Sequence, residues 1–432
     1  MIRKILIVFL LITSTSILAQ RTSSSPYSFF GIGEQYNPRT VENASMGGIG
    51  VAFNHYKYLN FTNPAANAFL RQTTYAVGVL NNDLTLKTAD SKQNSVSSSL
   101  NYIALGFPIG KKAGFSLGLQ PLSSVGYSLS NTKLNANDEI SAITIYSGEG
   151  GVNRIYGSFG MKISKEFSVG IELDYSFGNI QNSVLNQRAD VILATKNKEE
   201  SIITGNAVTF GTQYQKLLKK NLYFRAGATL KLGNDLKTTG NEYLYSLTSS
   251  SGGTEVSRDT LSNRTISGKY KLPLKSVLGA GIGTYDKWHV GIEFQTQEAL
   301  QPDGLTSNTN SSFRYESSNR FSLGGFYLPK TNSISSYWER VTYRAGIKFE
   351  KIGLAIDGSG AGENFTSIDD FGMSFGLGLP LRQLSTVNLG FEYGKRGTIS
   401  NNLIEENYFN FRLSLSLTAS GTQSWFRKRK ID

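Results

Sequence analysis

From residue 73 onward, hydrophobic and polar positions alternate with a period of two, the spacing at which successive side chains leave opposite faces of a β-strand. Within 167–178, Val169, Ile171, Leu173, Tyr175 and Phe177 share one face, and Glu172 and Asp174 share the other. Within 341–348, Val341, Tyr343 and Ile347 oppose Arg344 and Lys348. Near the end of the chain, Phe409, Phe411, Leu413, Leu415 and Leu417 oppose Asn410, Arg412, Ser414 and Ser416. Strands with one apolar and one polar face fit either a sandwich with wetted exteriors or a barrel with a wetted lumen.

Turn spacing separates the two. Short turns fall at 110–112, 164–166, 219–221, 284–287, 329–336 and 380–385, while the intervening connections, notably 237–263 and 358–370, are longer and rich in Ser, Thr, Asn and Gly. Short turns at one end and long loops at the other are the arrangement of outer-membrane barrels. The pattern places strands at 73–87, 94–109, 112–130, 140–163, 167–182, 203–218, 222–236, 265–283, 287–299, 311–328, 338–357, 370–380, 386–396 and 405–418. That is fourteen, an even number that returns both ends to the periplasm. Aromatics such as Phe107, Phe167, Tyr223, Tyr285, Trp288 and Trp338 sit beside the short turns rather than mid-strand. They read as a girdle at the boundary between hydrocarbon and water, or else as ordinary sandwich core. The fold class expected is all-β, a transmembrane antiparallel barrel of about fourteen strands over 72–418.

Composition narrows the chemistry. The chain has no Cys, so a disulfide framework, a thiolate metal site and a cysteine nucleophile are excluded. His55 and His289 stand far apart with no second His near either, and neither a metal nor any other cofactor is expected. At the N-terminus, the basic Met1-Ile2-Arg3-Lys4, the mostly apolar 5–17 and the small Ala19 before Gln20 have the layout of a secretory signal peptide over 1–20. Loss of Arg3 and Lys4 takes the formal charge from +12 to +10. An exported protein meets no nucleic acid, and no Lys/Arg cluster stands out except at the last residues. No later window is long and apolar enough for a membrane helix, so any crossing is made by strands. The location expected is the outer membrane of a Gram-negative cell.

Residues 21–71 do not alternate. They run through Ser25-Pro26-Tyr27-Ser28-Phe29-Phe30-Gly31, then Ala44-Ser45-Met46-Gly47-Gly48-Ile49-Gly50, then Asn63-Pro64-Ala65 just ahead of the first strand. With these motifs and the strand count, the chain resembles the FadL family of outer-membrane transport proteins for hydrophobic compounds. The resemblance implies a compact N-terminal hatch over 21–71, carrying Asn63, Pro64 and Ala65, that plugs the barrel. It covers essentially the whole mature chain at the level of pattern. Gly-rich backbone can fold tightly inside a strand wall, and a barrel of this size otherwise encloses water. The other reading is a disordered periplasmic tail, which apolar residues such as Phe29, Phe30, Met46, Phe61 and Phe69 argue against.

In the third strand, Pro121 and Gly126 fall mid-strand, where a proline cannot donate to the ladder and marks a bulge or break. The resemblance implies a kink here that opens the wall sideways, making Pro121 and Gly126 a candidate lateral gate. A bulge that only closes barrel curvature fits equally. The tail 419–432, with Trp425-Phe426-Arg427-Lys428-Arg429-Lys430, departs from the family pattern and is read either as a docking element or as a contact with anionic headgroups.

No phosphate-binding loop is present, and neither His sits where a surface-facing hydrolase centre belongs, so no enzyme is expected. Glu172, Asp174, Glu293, Arg344, Lys348, Glu392 and Arg412 are placed on the lumen side. Their mixed signs favour ion pairs bracing the wall or the hatch over a charge-selective pore. Two functions remain: passage of hydrophobic small molecules by way of the hatch and a lateral opening, or a non-transporting subunit of an outer-membrane secretion or assembly complex. Their partners are outer-membrane lipid with a hydrophobic ligand in the first, and further membrane proteins in the second.

Overall fold

A computed structural model describes residues 23–249, 255–304, 312–381 and 385–418. The expected signal peptide 1–20 and the basic tail 419–432 lie outside them. Fourteen antiparallel strands follow one another around a closed barrel. The first six are Thr74–Lys87 (β1), Lys92–Ile109 (β2), Ala113–Leu134 (β3), Ile140–Lys162 (β4), Phe167–Arg188 (β5) and Ala194–Lys219 (β6). β7 is Leu222–Lys231 continued by Asn234–Ser249, and β8 is Glu255–Leu272 continued by Lys275–Thr284. β9 is Trp288–Gln297 with a short outer piece, Gln301–Asp303, and β10 is Phe313–Tyr315 with Ser318–Tyr327. Thr342–Ile356 (β11), Thr366–Pro380 (β12), Thr386–Gly397 (β13) and Glu405–Thr418 (β14) complete the wall. β14 closes on β1 in continuous register from Glu405↔Lys87 to Thr418↔Thr74.

The alternation of the chain is the alternation of the wall. On β5, Leu173 is 58% exposed on the outer face while Glu172 and Asp174 are each 4% exposed on the inner. On β14, Phe409, Leu415 and Leu417 face out, and Glu406, Tyr408, Ser414 and Ser416 are buried inside. Val341, grouped by pattern with outward Tyr343, instead precedes β11 and is fully buried, because the short helical turn Trp338–Arg340 breaks the period.

The strands differ most from the sequence pattern at their outer ends. β6 has 26 residues, against the roughly 9–11 needed to cross a bilayer. The stretch 237–263, expected as a loop, belongs largely to a hairpin in which β7 pairs with β8 from Asn234↔Leu272 to Ser249↔Glu255. Its second strand is exposed at every position from Glu255 to Thr265, so that part carries no apolar stripe to betray it, although Leu236, Leu247 and Ile266 nearby are buried. Its Thr and Tyr residues (Thr238, Thr239, Tyr243, Tyr245) suit a strand all the same.

Residues 23–71 pack against inward-facing residues of strands on several sides of the barrel. Val41, Met46, Asn63, Ala65 and Ala68 have no measurable exposure. Phe61, Leu59 and Leu70 pack with Tyr102 and Tyr156 of the wall, and Ile32 packs with Val125, Val152, Ile180 and Leu236. The wall makes room by placing glycine where the segment touches it: a Cβ on Gly170 would stand 2.4 Å from Ala65 N, and one on Gly346 2.2 Å from Gly47 N. No real Cβ tolerates such a contact, so these wall positions are reserved for glycine by the segment they face.

Candidate functional site

The N-terminal segment is held from three sides, and each hold begins with its local chain chemistry. Pro64–Phe69 forms a 3-10 helix whose cap, Asn63, accepts from Ala65 N–H at 3.0 Å. Asn is a favoured cap and Pro needs no donor at the first helical position, which accounts for the Asn63-Pro64-Ala65 triplet. The same Asn63 donates through Nδ2 to Val51 O at 2.7 Å and to Thr212 O of β6 at 2.9 Å. One side chain thus caps a helix, ties two parts of the segment and fastens both to the wall.

On the β9 side, Glu293 accepts from Gly50 and Val51 N–H at 2.7 Å each and pairs with Arg39 at 2.7 Å. Arg39 also donates to Gly48 O and Thr62 Oγ1. Burial pulls the Arg39 guanidinium below its usual range, with Glu293 opposing that shift. Arg320 of β10 donates to Gly47 O at 2.9 Å, and Glu42 accepts from Asn388 Nδ2 at 2.8 Å. Toward the outer end, Glu34 pairs with Arg396 at 2.8 Å, and Ser25 donates to Glu406.

The remaining charges placed on the lumen side by alternation form two clusters and one isolated contact. Glu172 and Asp174 both meet Arg154, at 3.0 and 3.4 Å, and Asp174 meets Lys231 at 3.0 Å. Lys348 and Arg412 converge on Glu392 at 3.0 and 2.5 Å, joined through Asp370 to Arg396. Arg344 instead donates to Asn388 and lies over the Tyr58 ring. Arg39, Arg154, Lys231, Asp370 and Arg396 escaped the sequence reading. Arg154, Lys231, Asp370 and Arg396 lie on strands that could have been phased, but Arg39 lies in a segment without a period.

Between the segment and the wall is a cavity of about 330 Å³. Its lining mixes apolar Phe30, Leu122 and Ile352 with charged Arg320, Lys348 and Glu350. Lys275 Nζ donates to Asn37 Oδ1 of the segment at 2.6 Å beside it. The cavity touches Asn101 on β2 and Leu122 on β3, where those two strands part. β2 and β3 pair only from Ile103↔Leu119 to Ile109↔Ala113. Beyond that, β2 stays paired to β1 and β3 to β4, and a register shift sits between Pro121 and Ser123. Pro121 therefore lies just past the last paired residue. The edge of β3 left open is partly covered from within: Glu34 and Gln35 pair with Ser124 and Ser123, Tyr36 N–H donates to Leu122 O, and Gly126 N–H donates to Ser28 Oγ.

At the short-turn end, His55 stands 3.3 Å from Asp286 and stacks on Tyr56. Burial pushes the imidazole down to about 4, and although burial also opposes ionisation of Asp286, the His55 contact holds that carboxyl below its usual range. His289 is buried elsewhere, against Arg225 and Phe53. No group of three or more metal-ligating side chains occurs among the described residues.

Solved structures share this architecture. The chain is similar to the CymD monoaromatic hydrocarbon channel at 16% identity and a TM-score of 0.56, over 91% of this chain and 99% of that one. It is similar to the Pseudomonas putida toluene transporter TodX at 14% identity and 0.59, over 93% and 100%. A Pseudomonas aeruginosa FadL homologue is similar at 12% and 0.59, over 90% and 99%. At these identities the likeness establishes a FadL-type barrel fold. No curated protein matches the sequence. The family model described as BamG matches residues 1–432, end to end, and the chain therefore belongs to the BamG family.

Proposed function

We propose that this protein passes hydrophobic small molecules across the outer membrane, from the outer end of the barrel into the lumen cavity and then sideways between β2 and β3. The observation that carries the reading is the parting of those strands beyond Ile103↔Leu119, with a cavity reaching both sides of the opening. An apolar molecule leaving there enters hydrocarbon directly and avoids the aqueous periplasm, which favours it by roughly 25 cal/mol per Å² of apolar surface kept from water. Residues 21–71 act as the hatch that closes the straight route, with Asn63, Pro64 and Ala65 as its fastening, and Pro121 and Gly126 flank the lateral exit. The named channel and transporter of similar fold handle monoaromatic hydrocarbon and toluene, which supports apolar cargo here.

The test uses the dye 1-N-phenylnaphthylamine, which an intact lipopolysaccharide leaflet excludes. Cells expressing the protein should take it up several-fold faster than cells without it, and Leu122→Arg, which sets a charge in the exit, should return uptake to background. Equal uptake with and without the protein contradicts the proposal.

A second reading, a non-transporting subunit of an outer-membrane complex, draws on the charge around the cavity. Ion pairs such as Glu34–Arg396 and Lys348–Glu392 border the path an apolar molecule would take. Native mass spectrometry of protein gently extracted from its own membrane separates the two: a lone barrel carrying a lipid-like molecule supports passage, and a stoichiometric protein assembly supports the subunit.

A further inference from the structure

The short-turn end of the barrel carries a ring of exposed cations. At the long-loop end, several lysines are matched to carboxylates, Lys196 to Glu255 at 2.7 Å, Lys269 to Asp235 at 2.7 Å, Lys271 to Asp303 at 3.1 Å and Lys395 to Glu405 at 2.7 Å, while Lys92, Lys133, Lys237 and Lys351 are exposed without such a partner among the described residues. At the short-turn end, Lys111, Lys112, Lys165, Lys219, Lys287 and Lys330 are all exposed, and none has a carboxylate partner among the described residues. They occupy five successive short turns, so they ring the mouth rather than cluster on one side. Three acids lie on those turns: Asp286, hydrogen-bonded to His55 and Tyr56; Glu166, which accepts from Tyr214; and the half-buried Glu339. The six lysines outnumber them.

Beside these cations stand exposed apolar side chains. Ile163 precedes Lys165 at 62% exposure, Leu218 precedes Lys219 at 52%, and Ile109 adjoins Lys111. Trp338 stands on the same turn as Lys330 and is 63% exposed. An apolar group next to an unpaired ammonium, repeated around a perimeter, suits a lipid leaflet: the apolar group enters the acyl region while the ammonium reaches phosphate. An acidic protein would offer carboxylates to the lysines but water or polar surface to the outward-pointing Ile, Leu and Trp.

We infer that the short-turn rim is a binding surface for anionic phospholipid headgroups, engaged by Lys111, Lys112, Lys165 and Lys219 with their apolar neighbours set into the leaflet. Attraction of each lysine to an anionic surface corresponds to about a fivefold preference. The inference stands apart from any transport role.

The experiment exchanges the purified full chain in detergent against an equimolar mixture of phosphatidylglycerol and phosphatidylcholine and counts retained lipids by native mass spectrometry. Phosphatidylglycerol should be retained with at least fivefold enrichment. The fourfold variant Lys111→Gln, Lys112→Gln, Lys165→Gln, Lys219→Gln should lose that enrichment, and the matching fourfold Lys→Arg variant should keep it. Lys269→Gln with Lys271→Gln, at the long-loop end, should change nothing, which separates the rim from total charge. All these side chains are at the surface, and heat-modifiable migration on gels verifies that each variant is folded. Equal retention of the two lipids, enrichment unchanged in the Lys→Gln variant, or an acidic protein copurifying in place of lipid would each overturn the inference.

Discussion

Glu293 anchors the inner segment to β9. Its carboxylate receives two backbone N–H groups and the Arg39 guanidinium, all at 2.7 Å and all buried. Removing one partner of such a pair strands the other charge without water, at a cost of about 3–5 kcal/mol. Arg39→Met should therefore loosen residues 39–51 and accelerate their hydrogen exchange at least a hundredfold, with the wall strands unchanged. Protection in that segment equal to the native chain would mean the pair contributes nothing to docking. His55 adds a pH dependence of definite sign. Held down to about 4 by burial, against Asp286 and with Lys57 and Arg225 nearby, it is neutral when docked. The undocked imidazole takes its proton near its ordinary 6.5, so docking is strongest above that pH and weakens steadily from about 6.5 toward 4. Hydrogen exchange over 50–60 should quicken across that window, and His55→Gln should flatten the profile.

Among the elements, the edge of β3 holds most of the interest. Gly126 lies where a Cβ would come within 2.0 Å of Ser23 O, so Gly126→Val should push residues 23–36 off the strand. Faster exchange limited to 23–36, with 39–70 still protected, is the expected result; uniform protection would show that the edge does not hold the segment. The strands themselves were legible because lipid outside and ions inside impose a period of two, and fourteen were countable on that basis. Two element-level features were not. In the hairpin of β7 and β8, positions 255–265 are all exposed, which removes the contrast that periodicity needs. The parting of β2 from β3 is a matter of which neighbour a strand leaves, and Pro121 shows only that a ladder is interrupted near it. For the lumen charges, alternation could give a face but not a partner: Arg154 and Glu172 are neighbours across strands, and Arg39 reaches Glu293 from 254 positions away.

For the molecule as a whole, the proposed function needs a lumen closed along its axis and open to one side. Residues 23–71 make buried contacts with strands all around the barrel, among them Thr212, Glu293, Gly346, Asn388 and Arg396, and in that proposal these contacts seal the axis. The seam between β14 and β1 is paired from end to end without any contribution from the segment. Single-channel recording in planar bilayers reads out whether the axis is sealed. The intact protein should conduct almost no ions, and the protein lacking residues 25–68 should insert as a folded barrel with a steady, large conductance. An intact protein that conducts like an open pore, or a deletion that leaves conductance unchanged, would contradict an axially sealed barrel.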